Sequence, residues 1–179
     1  IGRTTTADQN FHHWELIFTE VLGPQVQDAV GPKGFDLIFG NPPWLKLRWN
    51  ESITLSEIDP KLGVQGNDAV EVGESREAIL LSQVAFWKYT VEFTSATGQS
   101  SFLGCERNYS TLKGIQPNLY KVFLVVSWSL LGGSGVSGFI HEEGIFDTTS
   151  GKKLRSDCYL RLKRRYHFRN ELNIFADVH

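Results

Sequence analysis

Hydrophobic and polar positions change their period several times along this chain, and the sharpest change sits at Gly34-Phe35-Asp36-Leu37-Ile38-Phe39-Gly40. Phe35 to Phe39 is a short run of aromatic and branched residues, which predicts a buried strand. The run stops at Gly40 and Asn41-Pro42-Pro43-Trp44 follows. Proline fixes its own φ and has no N–H for a sheet ladder, and it drives the residue before it into an extended conformation. Asn41 and Pro42 are both restricted in this way. The pattern predicts a stiff loop at the carboxyl end of a strand, presenting an amide, bare carbonyls and an aromatic ring. Open α/β sheets bind their ligands at such ends.

Upstream, residues 1–10 are polar and Thr-rich and read as a loop, and Phe11 to Leu22 reads as a strand running into a short helix. Gly23-Pro24 and Gly31-Pro32 bracket a turn-rich approach to Phe35. Downstream, Leu45 to Asn50 alternates apolar residues with Lys46 and Arg48 and ends beside Trp49, the pattern of an amphipathic edge strand. Residues 51–78 are acidic and predict a solvated, turn-rich insertion. Ala78 to Phe93 predicts a mostly buried helix with Ile79, Gln83, Phe86, Trp87 and Thr90 on one side. Ser95 to Ser101 predicts a break, and Gly114 to Asn118 a second, with Asn118 as a helix cap. Leu119 to Leu131 is apolar almost all round, and its length predicts a buried helix. Gly132-Gly133-Ser134-Gly135 ends it, and Val136 to Ile140 predicts the next strand. Those glycines follow a helix and precede a strand, the reverse of a phosphate loop. Lys152 to Tyr166 predicts an amphipathic helix with Leu154, Cys158, Leu162 and Tyr166 on one face, and Phe168 to Phe175 a last strand. Helix, turn and strand in this order imply an α/β fold with an open, mostly parallel sheet.

The 179 residues suffice for one domain with a substantial core. A net charge of −2 excludes a wholly basic nucleic-acid binder, so any such affinity rests on local patches. Cys105 and Cys158 lie far apart without metal-ligand spacing, which favours a reducing, cytoplasmic setting over a disulfide scaffold. No apolar run is long enough to span a membrane. His12 and His13 are adjacent and would face opposite sides of a strand, poor geometry for one metal, and no metal site is expected. The chain starts at Ile1 and contains no methionine, as expected of a piece of a longer polypeptide.

The proposed loop suits methyl transfer to an exocyclic amine on a planar ring. Such a nitrogen is a poor nucleophile because its lone pair is delocalised into the ring. Two acceptors aimed at its N–H bonds, the Asn41 amide oxygen and the Pro42 carbonyl, would localise that pair. Trp44 could stack on the ring, which is worth roughly 1–3 kcal/mol per base. A base in a duplex must flip out to reach such a loop.

Asn41-Pro42-Pro43-Trp44 after Phe35-Asp36-Leu37-Ile38-Phe39-Gly40 resembles the catalytic motif of the amino-group DNA methyltransferases that modify adenine N6. Phe11-His12-His13-Trp14-Glu15-Leu16 is similar to the large enzymes of restriction–modification and phage-defence systems. The resemblance implies a partial Rossmann-like methyltransferase fold over residues 1–179, with a helical insertion over 45–117. It also implies S-adenosylmethionine as cofactor, with Asn41 and Pro43 near its methyl group, and double-stranded DNA with a flipped adenine as partner. The helix opening at Asn118-Leu119-Tyr120 matches one that follows the motif in that family. The family's Gly-rich cofactor turn does not precede Phe35, and no target-recognition domain is visible, so the rest of a parent polypeptide is an expected partner. Lys46, Arg48 and Trp49 are candidate DNA contacts, with Arg161, Arg164 and Arg165 from the densest basic cluster. His141 and Glu143 would support the loop from the end of the next strand. Two alternatives stay open: methylation of a protein glutamine or an RNA base, and a non-catalytic remnant that binds DNA or a partner. The 179 residues by themselves are expected to be inactive or nearly so.

Overall fold

The structure, a computed structural model, describes residues 13–23, 33–64, 69–147 and 149–171. The expectations for residues 1–10, Phe11, His12, Pro24, Gly31, Pro32 and residues 172–179 lie outside them. The order is α1 (Trp14–Ile17), α2 (Thr19–Leu22), β1 (Phe35–Gly40), α3 (Glu51–Ile58), α4 (Pro60–Val64), α5 (Ala69–Leu80) and α6 (Gln83–Gly104). A 3-10 turn at Ser110–Leu112 precedes α7 (Leu119–Leu130), β2 (Leu131–Phe139), α8 (Gly144–Asp147) and α9 (Lys152–Arg161). The fold is α/β, with a two-stranded parallel sheet and helices among the described residues.

β1 forms where expected and pairs with β2 in the register Leu37–Val136, Ile38–Ser137, Phe39–Gly138 and Gly40–Phe139. The glycines expected to form a turn belong to β2 instead, which begins at Leu131 directly after α7. Their role is close approach. A Cβ on Gly135 would stand 2.4 Å from the Phe35 carbonyl oxygen, and one on Gly34 (φ +122°) 2.4 Å from the Gly132 nitrogen. Side chains there would force the strands apart where the register shifts between Phe35 and Leu37.

β1 is not buried, contrary to its apolar run. Leu37 and Phe39 are 60% and 78% exposed, and their same-face neighbours Val136 and Ile140 are exposed too. The opposite face, Ile38, Ser137 and Phe139, is half-buried. An apolar run specifies a surface that prefers cover, and no described helix supplies cover on the first face.

The core lies instead among α7, α8, α9 and the 3-10 turn. Tyr120, Val122, Ile145, Leu154 and Cys158 pack with Leu112 and Ile115, flanked by Trp44, Leu103 and Tyr109. Asn118 caps α7 as expected, its Oδ1 accepting from the Tyr120 N–H at 3.4 Å. Burial pushes the Cys158 thiol up to about 11, whereas Cys105 is exposed, and both are free.

Several elements depart from the sequence pattern. Phe11 to Leu22 gives two one-turn helices over its described part, with no strand. The acidic residues 51–78 are mostly helical rather than turn-rich in their described part, and Asn50 caps the first of these helices, α3, by accepting the Ile53 N–H. Their charge is partly tied down, since Glu51 pairs with Arg76. α6 passes unbroken through Ser95–Ser101, and the interruption falls at Leu81–Ser82. Serine, threonine and one glycine lower helix propensity by only about 1 kcal/mol each or less. Gln99 also donates to Ser95 Oγ one turn back. α6 is largely exposed rather than buried: Val84, Phe86 and Trp87 face solvent and Ala85 is buried. α9 stops at Arg161, leaving Leu162 and Tyr166 exposed, and beyond it Arg165 and His167 pair with Glu143. Phe168 to Glu171 forms no strand.

Leu154 is 1% exposed and Leu160, on the same helix, 80%. Leu154→Ala is expected to lower unfolding free energy in urea by roughly 2–5 kcal/mol. Leu160→Ala is expected to stay within about 0.5 kcal/mol. Equal losses would contradict this placement of the core.

Candidate functional site

The site grows out of the carboxyl ends of the paired strands. Ile140, just past β2, donates its N–H to the Gly40 carbonyl at 3.1 Å. Its own carbonyl accepts from Trp44 Nε1 at 3.3 Å. The residue just past the second strand thereby holds both ends of the Asn41–Trp44 loop. Beyond the loop the chain stays extended. Leu47 N–H donates to the Pro117 carbonyl at 3.0 Å and Leu119 N–H to the Leu45 carbonyl at 2.9 Å. The expected edge strand at Leu45–Asn50 is thus reduced to an isolated antiparallel bridge between Lys46 and Asn118.

Asn41 and Pro43 are exposed, Pro42 between them is buried, and Trp44 is half-buried against the core. No described residue hydrogen-bonds the Asn41 amide or the Pro42 carbonyl. Of the two candidate acceptors, the amide is the more open to solvent. Trp44 is first an anchor, since its indole N–H and part of its ring are engaged by the protein itself.

His141, Glu142 and Glu143 lie on this rim, as their position after the strand implies. Their partners are internal. The His141 ring stacks on Tyr120 at 5.1 Å, and its Nδ1 lies 2.6 Å from the Glu142 carbonyl oxygen. Glu142 Oε2 accepts from Asn118 Nδ2 at 3.3 Å, so Asn118 ties helix, loop extension and rim together. Glu143 pairs with Arg165 and, at 3.1 Å, with His167. The Tyr120 hydroxyl is buried without a partner, and burial raises its pKa. Burial lowers the Lys121 pKa, opposed by the nearby Glu142.

The expected DNA contacts divide. Lys46 and Arg48 are exposed next to the loop. Arg161 lies over the Trp128 ring at 4.7 Å and donates to the Asp157 carbonyl, and Arg165 lies over Phe146 at 4.1 Å while pairing with Glu143. The protein therefore engages Arg161 and Arg165 itself, while Arg164 is exposed.

Trp49 meets Tyr89 and Phe93 edge-on at 5.4 and 5.3 Å. The Tyr89 hydroxyl donates to Glu51 at 2.5 Å, beside the Glu51–Arg76 pair. Next to this cluster an open groove of about 310 Å³ is formed by residues 47–49, the middle of α6 and Gln116–Pro117. The Asn41–Trp44 loop does not line it. Sequence reasoning missed the groove's α6 wall, and the signal was present as the small hydroxyl residues between Ser95 and Ser101.

Among the described residues, no helix is long and apolar enough to cross a membrane, and no three His, Cys, Asp or Glu side chains gather to hold a metal ion. Comparison with protein families, with characterised proteins and with solved structures finds no match for this chain.

Burial, and then the hydrogen bond to Glu51, raise the Tyr89 pKa from 10.0 to about 12. The folded state holds this proton more tightly than the unfolded chain does. Its stabilisation is therefore complete below pH 10 and is lost as pH rises through about 12. Thermal melts across that range are expected to fall more steeply for the native chain than for Tyr89→Phe. Parallel curves would contradict the assignment.

Proposed function

We propose that the chain is the motif-bearing part of an S-adenosylmethionine-dependent methyltransferase that modifies the N6 amine of a flipped adenine in double-stranded DNA. The setting would be a restriction–modification or phage-defence system, and the sheet would be part of a larger Rossmann-like one. One observation carries the reading. A Pro-Pro loop at the carboxyl end of a parallel strand holds two hydrogen-bond acceptors, the Asn41 amide oxygen and the Pro42 carbonyl, that no described residue uses.

The amide oxygen of Asn41 accepts one N–H of the amine and the Pro42 carbonyl the other. This draws the nitrogen toward tetrahedral geometry and returns its lone pair from the ring. A loop tied at both ends to Ile140 makes this contact without reorganising. The exposed part of the Trp44 ring gives the base a surface to stack on. Lys46, Arg48 and Arg164 are the cations available for DNA phosphates.

S-adenosylmethionine supplies the methyl group when bound, and Asn41 and Pro43 are the residues here that would face it. The described residues hold no cradle for its adenosyl end. The glycines nearest the sheet are strand glycines, and Gly34 and Gly135 leave no room for a side chain where β1 and β2 meet. What these residues contribute to the reaction is therefore confined to the amine.

One observation favours a second reading, a non-catalytic remnant that binds DNA or a partner. The groove lies beside Arg48 and not at Asn41. An acceptor pair also cannot by itself tell adenine from the planar amide of a protein glutamine or from an RNA base.

The intact open reading frame containing this chain, expressed with labelled S-adenosylmethionine and DNA, is expected to label adenine N6. Asn41→Ala is expected to reduce the rate by roughly 10²–10³-fold, the scale seen when one preorganised polar group is removed. Label that persists would remove Asn41 from the reaction, and label on protein or RNA would move the substrate class.

A further inference from the structure

The groove between residues 47–49, α6 and Gln116 has no assigned role. Its volume of about 310 Å³ is that of a small ligand site. Among the described residues that line it, Arg48 is the one charged side chain and none is a carboxylate. Arg48 forms no ion pair with a described residue. Thr97, Ser100 and Ser101 line it from α6, and Gln116 lines it from the segment before α7. None of these four side chains hydrogen-bonds another described residue. Five polar side chains with unmet hydrogen-bonding capacity therefore surround one concave space, while Leu47, Trp49 and Pro117 give it an apolar side.

The shape has a sequence cause. The run Ser95-Ala96-Thr97-Gly98-Gln99-Ser100-Ser101 is nearly free of bulky side chains. Kept helical, it leaves a hollow where a Leu-rich helix would have closed against Trp49. Trp49 is held in place by Tyr89 and Phe93.

We infer that this groove is a binding subsite for the sugar-phosphate unit of a nucleotide. The planar guanidinium fork matches two phosphate oxygens, and hydroxyl groups donate to the third oxygen or bond the sugar. The amide of Gln116 both donates and accepts, as a sugar hydroxyl or a base edge requires. The apolar side receives the furanose ring. With Arg48 and no acid among the described lining residues, the groove favours an anionic ligand over a cationic one. Arg48 follows Asn41 by seven positions, at most about 25 Å of chain, so a nucleotide on the same strand as a base at Asn41 can reach the groove. The subsite deepens the DNA-binding part of the methyl-transfer reading, with which it shares Arg48 and a nucleic-acid ligand, and it does not use Asn41.

The test uses fluorescein-labelled oligothymidylate, read by fluorescence anisotropy, against the 179-residue chain. Thymine has no exocyclic amine, so this probe reads the subsite and not the methyl-acceptor loop. Saturable binding is expected, weakened roughly 10-fold or more by Arg48→Ala, the scale of a lost charge-assisted hydrogen bond. Ser101→Leu, which fills the groove from an exposed helical position, is expected to weaken it as well. Far-UV circular dichroism on each variant separates lost binding from lost fold. Competition by free thymidine monophosphate at similar strength would identify a free nucleotide as the ligand, and failure to compete would identify the polynucleotide strand; either supports the subsite. No binding to either probe, or binding indifferent to both Arg48→Ala and Ser101→Leu in folded variants, would overturn it. Methyl transfer could then still hold, because its readout is label on adenine.

Discussion

The two parallel strands among the described residues are too few to be stable alone, and what matters most here is how their carboxyl ends are closed. Ile140 uses its N–H on Gly40 and its carbonyl on the Trp44 indole. A single residue thus fastens the end of β1 and the far end of the loop that leaves it. The Pro-Pro step removes backbone freedom between those two points, and the Leu45–Leu47 extension is then fixed against Pro117–Leu119. The core reaches the same place from below, because Trp44 packs against the cluster centred on Tyr120. Loop, strand end and core are one mechanical unit.

The parts legible in the sequence were those set by local chemistry. An apolar run ending in Gly-Asn-Pro-Pro can only be a strand running into a stiff turn, and Asn118 before an apolar dozen can only be a cap. What escaped depends on tertiary context. Gly132 to Gly135 resembles a turn in isolation, yet Gly135 is required because the Phe35 carbonyl passes where its side chain would be. Ser95 to Ser101 resembles a break, yet its helix continues and its small residues open the groove. Arg161 and Arg165 resemble a nucleic-acid patch, yet each lies over an aromatic ring of its own chain. Charge runs report composition, and only geometry reports what the charges face.

Burial is distributed unevenly. Tyr120, Leu55 and Leu154 are almost fully enclosed, while Leu37, Phe39, Val136 and Ile140 form an open apolar face on the sheet. Trp87, Val84 and Phe86 on α6 are equally open. Trp44 packs against the cluster that holds Tyr120 and Leu154, so the Asn41–Trp44 loop is supported even though the sheet face beside it is bare. This explains how a site can be rigid on so small a sheet: its stiffness comes from the rim and the helical core, not from strand number.

That rigidity is the central claim, and amide hydrogen exchange followed by NMR tests it directly. The Ile140 amide and the Trp44 indole N–H are predicted to exchange measurably more slowly than the same groups in an unstructured peptide, while the core Val122 amide is slower still. Exchange of either at the rate of an unprotected peptide, with Val122 still protected, would contradict the account.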